Sequence, residues 1–209
     1  MSVFAAPVLV IEQRSAALEY EIGDARENPL ARGVQAAGER PRKGLLGRFG
    51  SGPANARVVV QVSGLDGAPL FFVDRAPDSP VAIVAPDGTL IGRFAEDAAA
   101  FARSHLEGRS RLPGGRSDFN QAQQLLDAGG TPLCSITWEP TYVGGVIDHA
   151  VGGRACAYTD PDGTELARME RARNQWSGDR YVLHLPFRLP DPLRTLVIAS
   201  PIAFDLSRS

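Results

Sequence analysis

Three histidines, two cysteines and a recurring acidic turn are the places where this 209-residue chain could hold chemistry. His105, His149 and His184 are far apart in sequence, with no G-x-S-x-G elbow and no Cys-His signature beside them. Nucleophilic catalysis therefore has no template here. His184 alternates outward from the apolar positions of its segment and reads as a surface or barrel-wall residue. Trp138, Glu139 and Trp176 read as core or rim residues. Cys134 and Cys156 fall in separate apolar segments and are expected as free buried thiols, with a single disulfide left open. The sequence has no C-x-x-C, H-E-x-x-H, P-loop or G-x-G-x-x-G after a strand. No catalytic residue, metal or cofactor is expected, and the chain is read as a non-enzyme.

The acidic turns have a simpler explanation than ligand binding. LDGAPLFF, PDGTLIGRF, DAGGTPLCSI and PDGTELARM each place Asp and Gly just ahead of an apolar segment, and GDARENPLARG is a degenerate fifth copy. Asp-Gly supplies the positive φ that a tight hairpin needs, so each copy reads as strand, turn, antiparallel strand. Asp160 and Asp162 are the best calcium candidates. No EF-hand-like run of oxygen ligands surrounds them, so hairpin chemistry is preferred.

The segment GERPRKGLLGRFGSG, residues 38–52, offers a different chemistry. Arg40, Arg42, Lys43 and Arg48 surround Leu45, Leu46 and Phe49, so cations are positioned to meet anionic headgroups while Leu46 and Phe49 enter the interface. Each cation near such a surface contributes about 1 kcal/mol, giving modest, reversible attachment. The competing reading is a solvated inter-strand loop whose leucines pack on the protein, with Glu39 diluting the charge. Overall the formal net charge is −2, which argues against a nucleic-acid partner.

These residues must be carried by β-structure. Val58, Val60 and Val62 share one face, as do Tyr181, Leu183 and Leu185. Ten segments have strand character: PVLVIEQ, ALEYEI, RVVVQV, PLFFV, PVAIVA, TLIGRF, PLCSITW, ACAYT, TELARME and RYVLHL. The first is read as a strand and not as a signal peptide, because no basic region precedes it. The C-terminal run is different. Asp191 is placed to cap a helix and Pro192 to open it. Leu193, Leu196, Val197, Ile198, Ile202, Phe204 and their neighbours fall on every side of that helix, so it must be buried in a core or in lipid. Its uncharged stretch spans about 15 Å, roughly half a bilayer's hydrocarbon, which favours the core. Pro201 predicts a kink or an early end. A barrel of eight strands is filled by its own side chains, so enclosing a helix requires about a dozen. The fold expected is mainly β: one domain over 1–209, an approximately twelve-stranded closed antiparallel barrel around a hydrophobic C-terminal α-helix at 190–206. Residues 95–125 read as a divergent insert, a short helix and loop.

The DGTLIGR and DGTELAR hairpins, followed by DRYVLHLPFRLPDPLRTLVIASPIAFD, resemble bacterial phospholipid-scramblase-related proteins. These belong with the LURP-one-related proteins in the tubby C-terminal-like superfamily. The resemblance is strongest over 157–206, extends over 7–34 and 57–94, and is poor over 95–125. It implies a twelve-stranded barrel around a hydrophobic helix, and loosely a lipid-related role. Tubby-like domains bind phosphoinositide headgroups through basic surface residues, which here would be Arg40, Arg42, Lys43 and Arg48 with Phe49. The cysteine-rich cluster and the calcium segment of the scramblases have no counterpart. The expectation is a cytoplasmic, peripherally membrane-associated module binding an anionic phospholipid or membrane surface. The alternative is a protein-interaction or structural module with no lipid ligand, and true scrambling ranks below both.

Overall fold

The structure is a computed structural model that describes residues 2–15, 18–38, 56–97, 122–139, 142–143, 146–147, 155–174, 178–186 and 188–208. Period-two alternation dominates these residues. The strands are β1 Val8–Ser15, β2 Glu19–Asp24, β3 Pro29–Ala37, β4 Val58–Gly64, β5 Pro69–Arg75, β6 Val81–Val84 and β7 Leu90–Glu96. They continue with β8 Gln123–Asp127, β9 Pro132–Trp138, β10 Tyr142–Val143, β11 Val146–Ile147, β12 Ala155–Thr159, β13 Glu165–Asn174 and β14 Gly178–His184. Strands β10 and β11 pair only with each other. The other twelve form a closed antiparallel barrel in chain order, sealed where Val10 of β1 faces Val182 of β14. Closure leaves the barrel without an exposed edge.

Every second residue points inward. Leu9 and Ile11, Val60 and Val62, Phe71 and Val73, Cys134 and Ile136, and Leu183 with Tyr181 are all buried. The axis is occupied by α1, Leu193–Arg208. Leu196, Val197, Ile198, Ala199, Ile202 and Ala203 have no solvent exposure, Phe204 is also buried, and Leu193 packs at the margin. The expected barrel around a hydrophobic helix is therefore the observed fold. No helix among the described residues is long and apolar enough to cross a membrane.

Some details differ from the sequence-based expectation. Two barrel strands lie outside the ten segments with clear strand character: β3, which follows the degenerate turn, and β8. Residues 95–125 are not a helix-and-loop insert at either end, since Ala95 and Glu96 finish β7 and Gln123–Leu125 begin β8 opposite them; residues 98–121 lie outside the described residues. The strand is disguised because Gln123 occupies a core-facing position, where it accepts a hydrogen bond from Trp138 Nε1 at 3.1 Å. At the helix start, Pro192 precedes the first helical residue, and its carbonyl accepts from the Leu196 amide at 3.1 Å. The Asp191 carboxylate accepts from the Thr195 hydroxyl at 2.9 Å, a side chain in the first turn. Pro201 does not end the helix. Ser200 Oγ donates to the Val197 carbonyl at 2.7 Å, the group that Pro201 leaves without its helical donor.

Candidate functional site

An up-and-down barrel has two chemically distinct ends, and this one separates its connections cleanly. At the end where α1 enters, five turns share one geometry, beginning at Asp24, Gly64, Ala85, Asp127 and Asp160. In each, the amide three residues on bonds back to the first carbonyl, and the first amide bonds to the carbonyl four residues on. The fourth residue is left-handed every time: Glu27, Gly67, Gly88, Gly130 and Gly163, with φ between 62° and 89°. Their carboxylates serve the backbone. Asp160 Oδ1 accepts from the amides of Asp162 and Thr164 at 3.0 and 2.8 Å. Asp24, Asp66, Asp87 and Asp127 do the same in their turns. The calcium candidates Asp160 and Asp162 are thus members of a hairpin turn. No group of three metal-ligating side chains is found among the described residues.

The opposite end carries the longer connections. Strand β3 finishes at Ala37 and β4 starts at Val58, β7 and β8 are separated by residues 97–122, and β9 and β12 by 139–154. The headgroup candidates Arg40, Arg42, Lys43, Arg48 and Phe49 lie outside the described residues, but the strands fix the end to which their segment is tethered. The connections at the two ends consequently differ in the charges their sequences carry. The five turns carry Asp24, Glu27, Asp66, Asp87, Asp127, Asp160 and Asp162 against one base, Arg26. The 38–57 connection carries four arginines and a lysine against Glu39, 97–122 is close to balance with four arginines and three acids, and 139–154 has two acids against one arginine.

Inside that second end, around the last turns of α1, lies a polar cluster. Arg171 near the end of β13 is fully paired with Asp179 Oδ2, its Nε at 3.0 Å. The same guanidinium lies over the Phe204 ring, 5.6 Å from its centroid. Trp138 packs on Phe204 at 4.7 Å between centroids, and Tyr181 meets it edge-on at 6.5 Å. The Tyr181 hydroxyl donates to Asp205 Oδ1 and also sits 3.4 Å from Asp179 Oδ2. Asp205 Oδ2 and the Tyr20 hydroxyl are both buried, and the Tyr20 hydroxyl interacts with the Asp205 carboxylate. Burial pushes the Asp205 carboxyl up to about 6; the Tyr181 hydroxyl opposes that rise and Asp179 adds to it. Burial likewise holds the Tyr20 and Tyr181 hydroxyls well above their ordinary range.

Composition and motif searching do not find this cluster, although its signal is present. Ala167, Met169 and Arg171 share one strand parity, and Asp179, Tyr181 and Leu183 another. Opposite charges thus stand on core-facing positions of adjacent strands, while Asp205 is the acid that ends the uncharged helical run. The residues singled out from sequence lie elsewhere. His184 is on the outer wall, 3.9 Å from Glu170, and Glu139 is paired with Arg168. Cys134 and Cys156 are free, core-facing thiols, each pushed up to about 12 by burial. His105, His149 and Trp176 lie outside the described residues.

No family model, curated protein or solved structure matches this chain.

Proposed function

We propose that this chain is a non-enzymatic, scramblase-like barrel module that binds anionic phospholipid headgroups at a membrane surface, with the 38–57 end of the barrel facing the lipid. The supporting observation is the difference in charge between the connections at the two ends of the barrel. An acidic set of turns at one end and a basic, leucine-containing connection tethered to the other would orient the molecule on an anionic surface before any contact forms. The resemblance to the LURP-one-related and scramblase-related proteins points the same way. Arg40, Arg42, Lys43 and Arg48 would supply the electrostatic attraction and Phe49 the apolar insertion.

Sedimentation with anionic and with neutral vesicles, using wild type and the Arg42→Glu/Lys43→Glu double variant, tests this reading. Wild type should pellet with anionic vesicles only, and less so at high salt. The double variant removes at least about 2 kcal/mol, so its partition should fall by about 30-fold. Equal, negligible binding in all four combinations would overturn the proposal and leave a protein-interaction module as the reading to pursue.

A further inference from the structure

The tetrapeptide Pro-Asp-Gly-Thr occurs twice in this chain, at 86–89 and at 161–164, and both copies form the same turn. Gly88 and Gly163 have φ of 88° and 86°, and their amides donate to the carbonyls of Ala85 and Asp160, each at 3.0 Å. A Cβ on either glycine would meet nothing within 4 Å, and both stretches are exposed throughout. The copies differ at the carboxylate. Asp87 Oδ1 accepts from the Thr89 amide at 2.9 Å. Asp66 accepts from the Ala68 amide at 3.0 Å in the third Asp-Gly turn. In the 161–164 copy the corresponding donor is already taken. The residue before the tetrapeptide is Asp160 instead of Ala85, and its Oδ1 accepts from the amides of both Asp162 and Thr164. Two side chains compete for one amide hydrogen, and Asp160 wins. The Asp162 carboxylate makes no hydrogen bond or ion pair among the described residues.

We infer that Asp162–Gly163 is a site of spontaneous aspartate isomerisation, selected over the identical Asp87–Gly88 because Asp160 has freed its carboxyl group. In this reaction the Gly163 nitrogen attacks Asp162 Cγ. The amide proton and the hydroxyl of the protonated carboxyl leave together as water, closing a succinimide. Water then adds back. Cleavage of the Cγ–N bond restores aspartate, whereas cleavage of the bond from the main-chain carbonyl carbon to nitrogen leaves Gly163 joined through Cγ. The product is isoaspartate, in which the Asp162 Cβ methylene has entered the backbone and the former main-chain carbonyl is a free carboxylate.

Glycine permits the attack because no side chain stands beside its nitrogen. All three Asp-Gly dipeptides of the sequence share that property, so the carboxyl group makes the difference. A carboxyl tied to an amide must first give up a charge-assisted bond, which slows attack about ten-fold. The Thr89 amide also holds the Asp87 carboxyl below its ordinary range, so less of it carries the proton that must leave. An added methylene has no place in the turn. It disrupts the bond from the Gly163 amide to the Asp160 carbonyl and loosens the hairpin between β12 and β13. The inference stands apart from headgroup binding.

Incubation of the folded full-length protein at neutral pH, followed by digestion and electron-transfer fragmentation of the peptides, quantifies isoaspartate at positions 66, 87 and 162. Wild type should accumulate it at 162 about ten-fold faster than at 87. In denaturant, where neither turn survives, positions 87 and 162 should react at similar rates. Asp160→Ala copies the 85–89 turn and should slow position 162 about ten-fold, while Ala85→Asp should speed position 87 by the same factor. Three results would each refute the assignment: equal rates at 87 and 162 in folded wild type, a ratio that persists in denaturant, or an Asp160→Ala variant that isomerises at 162 like wild type. Circular dichroism before incubation shows which variants fold. Should Asp160→Ala fail to fold, the folded and denatured wild-type rates decide the matter.

Discussion

Pro201 has no amide hydrogen, so the Val197 carbonyl four residues earlier loses its helical donor, and the Ser200 hydroxyl donates to it instead. Ser200 has spent its hydrogen there, so the contact of 2.6 Å with Tyr158 requires the tyrosine to donate. A fully buried serine and a fully buried tyrosine thus repair a proline inside a barrel core. Ser200→Ala removes both bonds and leaves the Tyr158 hydroxyl with only the Met169 sulfur at 3.6 Å. The expected loss is about 2 kcal/mol, against about 1 kcal/mol for Tyr158→Phe, which leaves the Val197 carbonyl satisfied. Urea unfolding of both single variants and the double variant measures this, and the two effects should be non-additive because the groups touch. A loss of a few tenths of a kcal/mol for Ser200→Ala would show that the carbonyl finds another donor. The same scale explains why Asp205 was legible only in part. A single acid closing an apolar run marks the helix end, but whether that acid is solvated or enclosed depends on β2, β13 and β14.

The five hairpin turns show how far an element can be read from a short motif. Asp supplies the side-chain oxygen that ties the turn's amides, and glycine supplies the left-handed residue, so DGT before an apolar segment was sufficient. Glu27 adopts the same conformation without being glycine, at φ 62°, with Arg180 paired to it at 2.7 Å from β14. Two glycine substitutions separate conformational from steric cost. A Cβ at Gly163 would meet nothing within 4 Å, so Gly163→Ala should lose only the left-handed preference, about 1 kcal/mol. At Gly92 in β7, a Cβ would stand 2.2 Å from the Leu126 carbonyl oxygen and 2.9 Å from the Leu196 side chain of α1. Gly92→Ala must displace a strand or the helix and should cost about 3 kcal/mol. Thermal unfolding of the pair checks the order, and a Gly163→Ala loss as large as that of Gly92→Ala would refute the distinction. Strand β8 was hidden because a buried glutamine interrupts its pattern, and only its cross-strand bond to Trp138 explains why Gln123 is accepted there.

For the whole molecule, barrel and helix are one cooperative unit. The barrel has room for α1 and α1 has no apolar-free face, so neither is expected to be stable alone. Ile198 has no solvent exposure, and Ile198→Asp would place an unpaired charge on the barrel axis at a cost of several kcal/mol. Loss of cooperative unfolding by calorimetry is the expected outcome, and deleting residues 192–209 should abolish soluble folding in the same way. Recovery of a soluble truncated protein with a sharp thermal transition would mean that the sheet closes on its own side chains. The charge difference between the two sets of connections belongs to this scale too, since no single turn is strongly acidic and the asymmetry exists only because all five are gathered at one end.

The sequence by itself determined the strands with clean alternation, the turns between them and the burial of the C-terminal run, because each depends on residues within a few positions of one another. From the helix's width it also required a barrel of about twelve strands. Tertiary structure decided what depends on distant partners. It enrolled β3 and β8 in the wall and tethered the basic segment opposite the acidic turns. It carried α1 past Pro201 through a serine that the fold encloses. It also brought Tyr20, Arg171, Asp179, Tyr181 and Asp205 together from four elements, because only closure of the barrel takes them out of water at the same place.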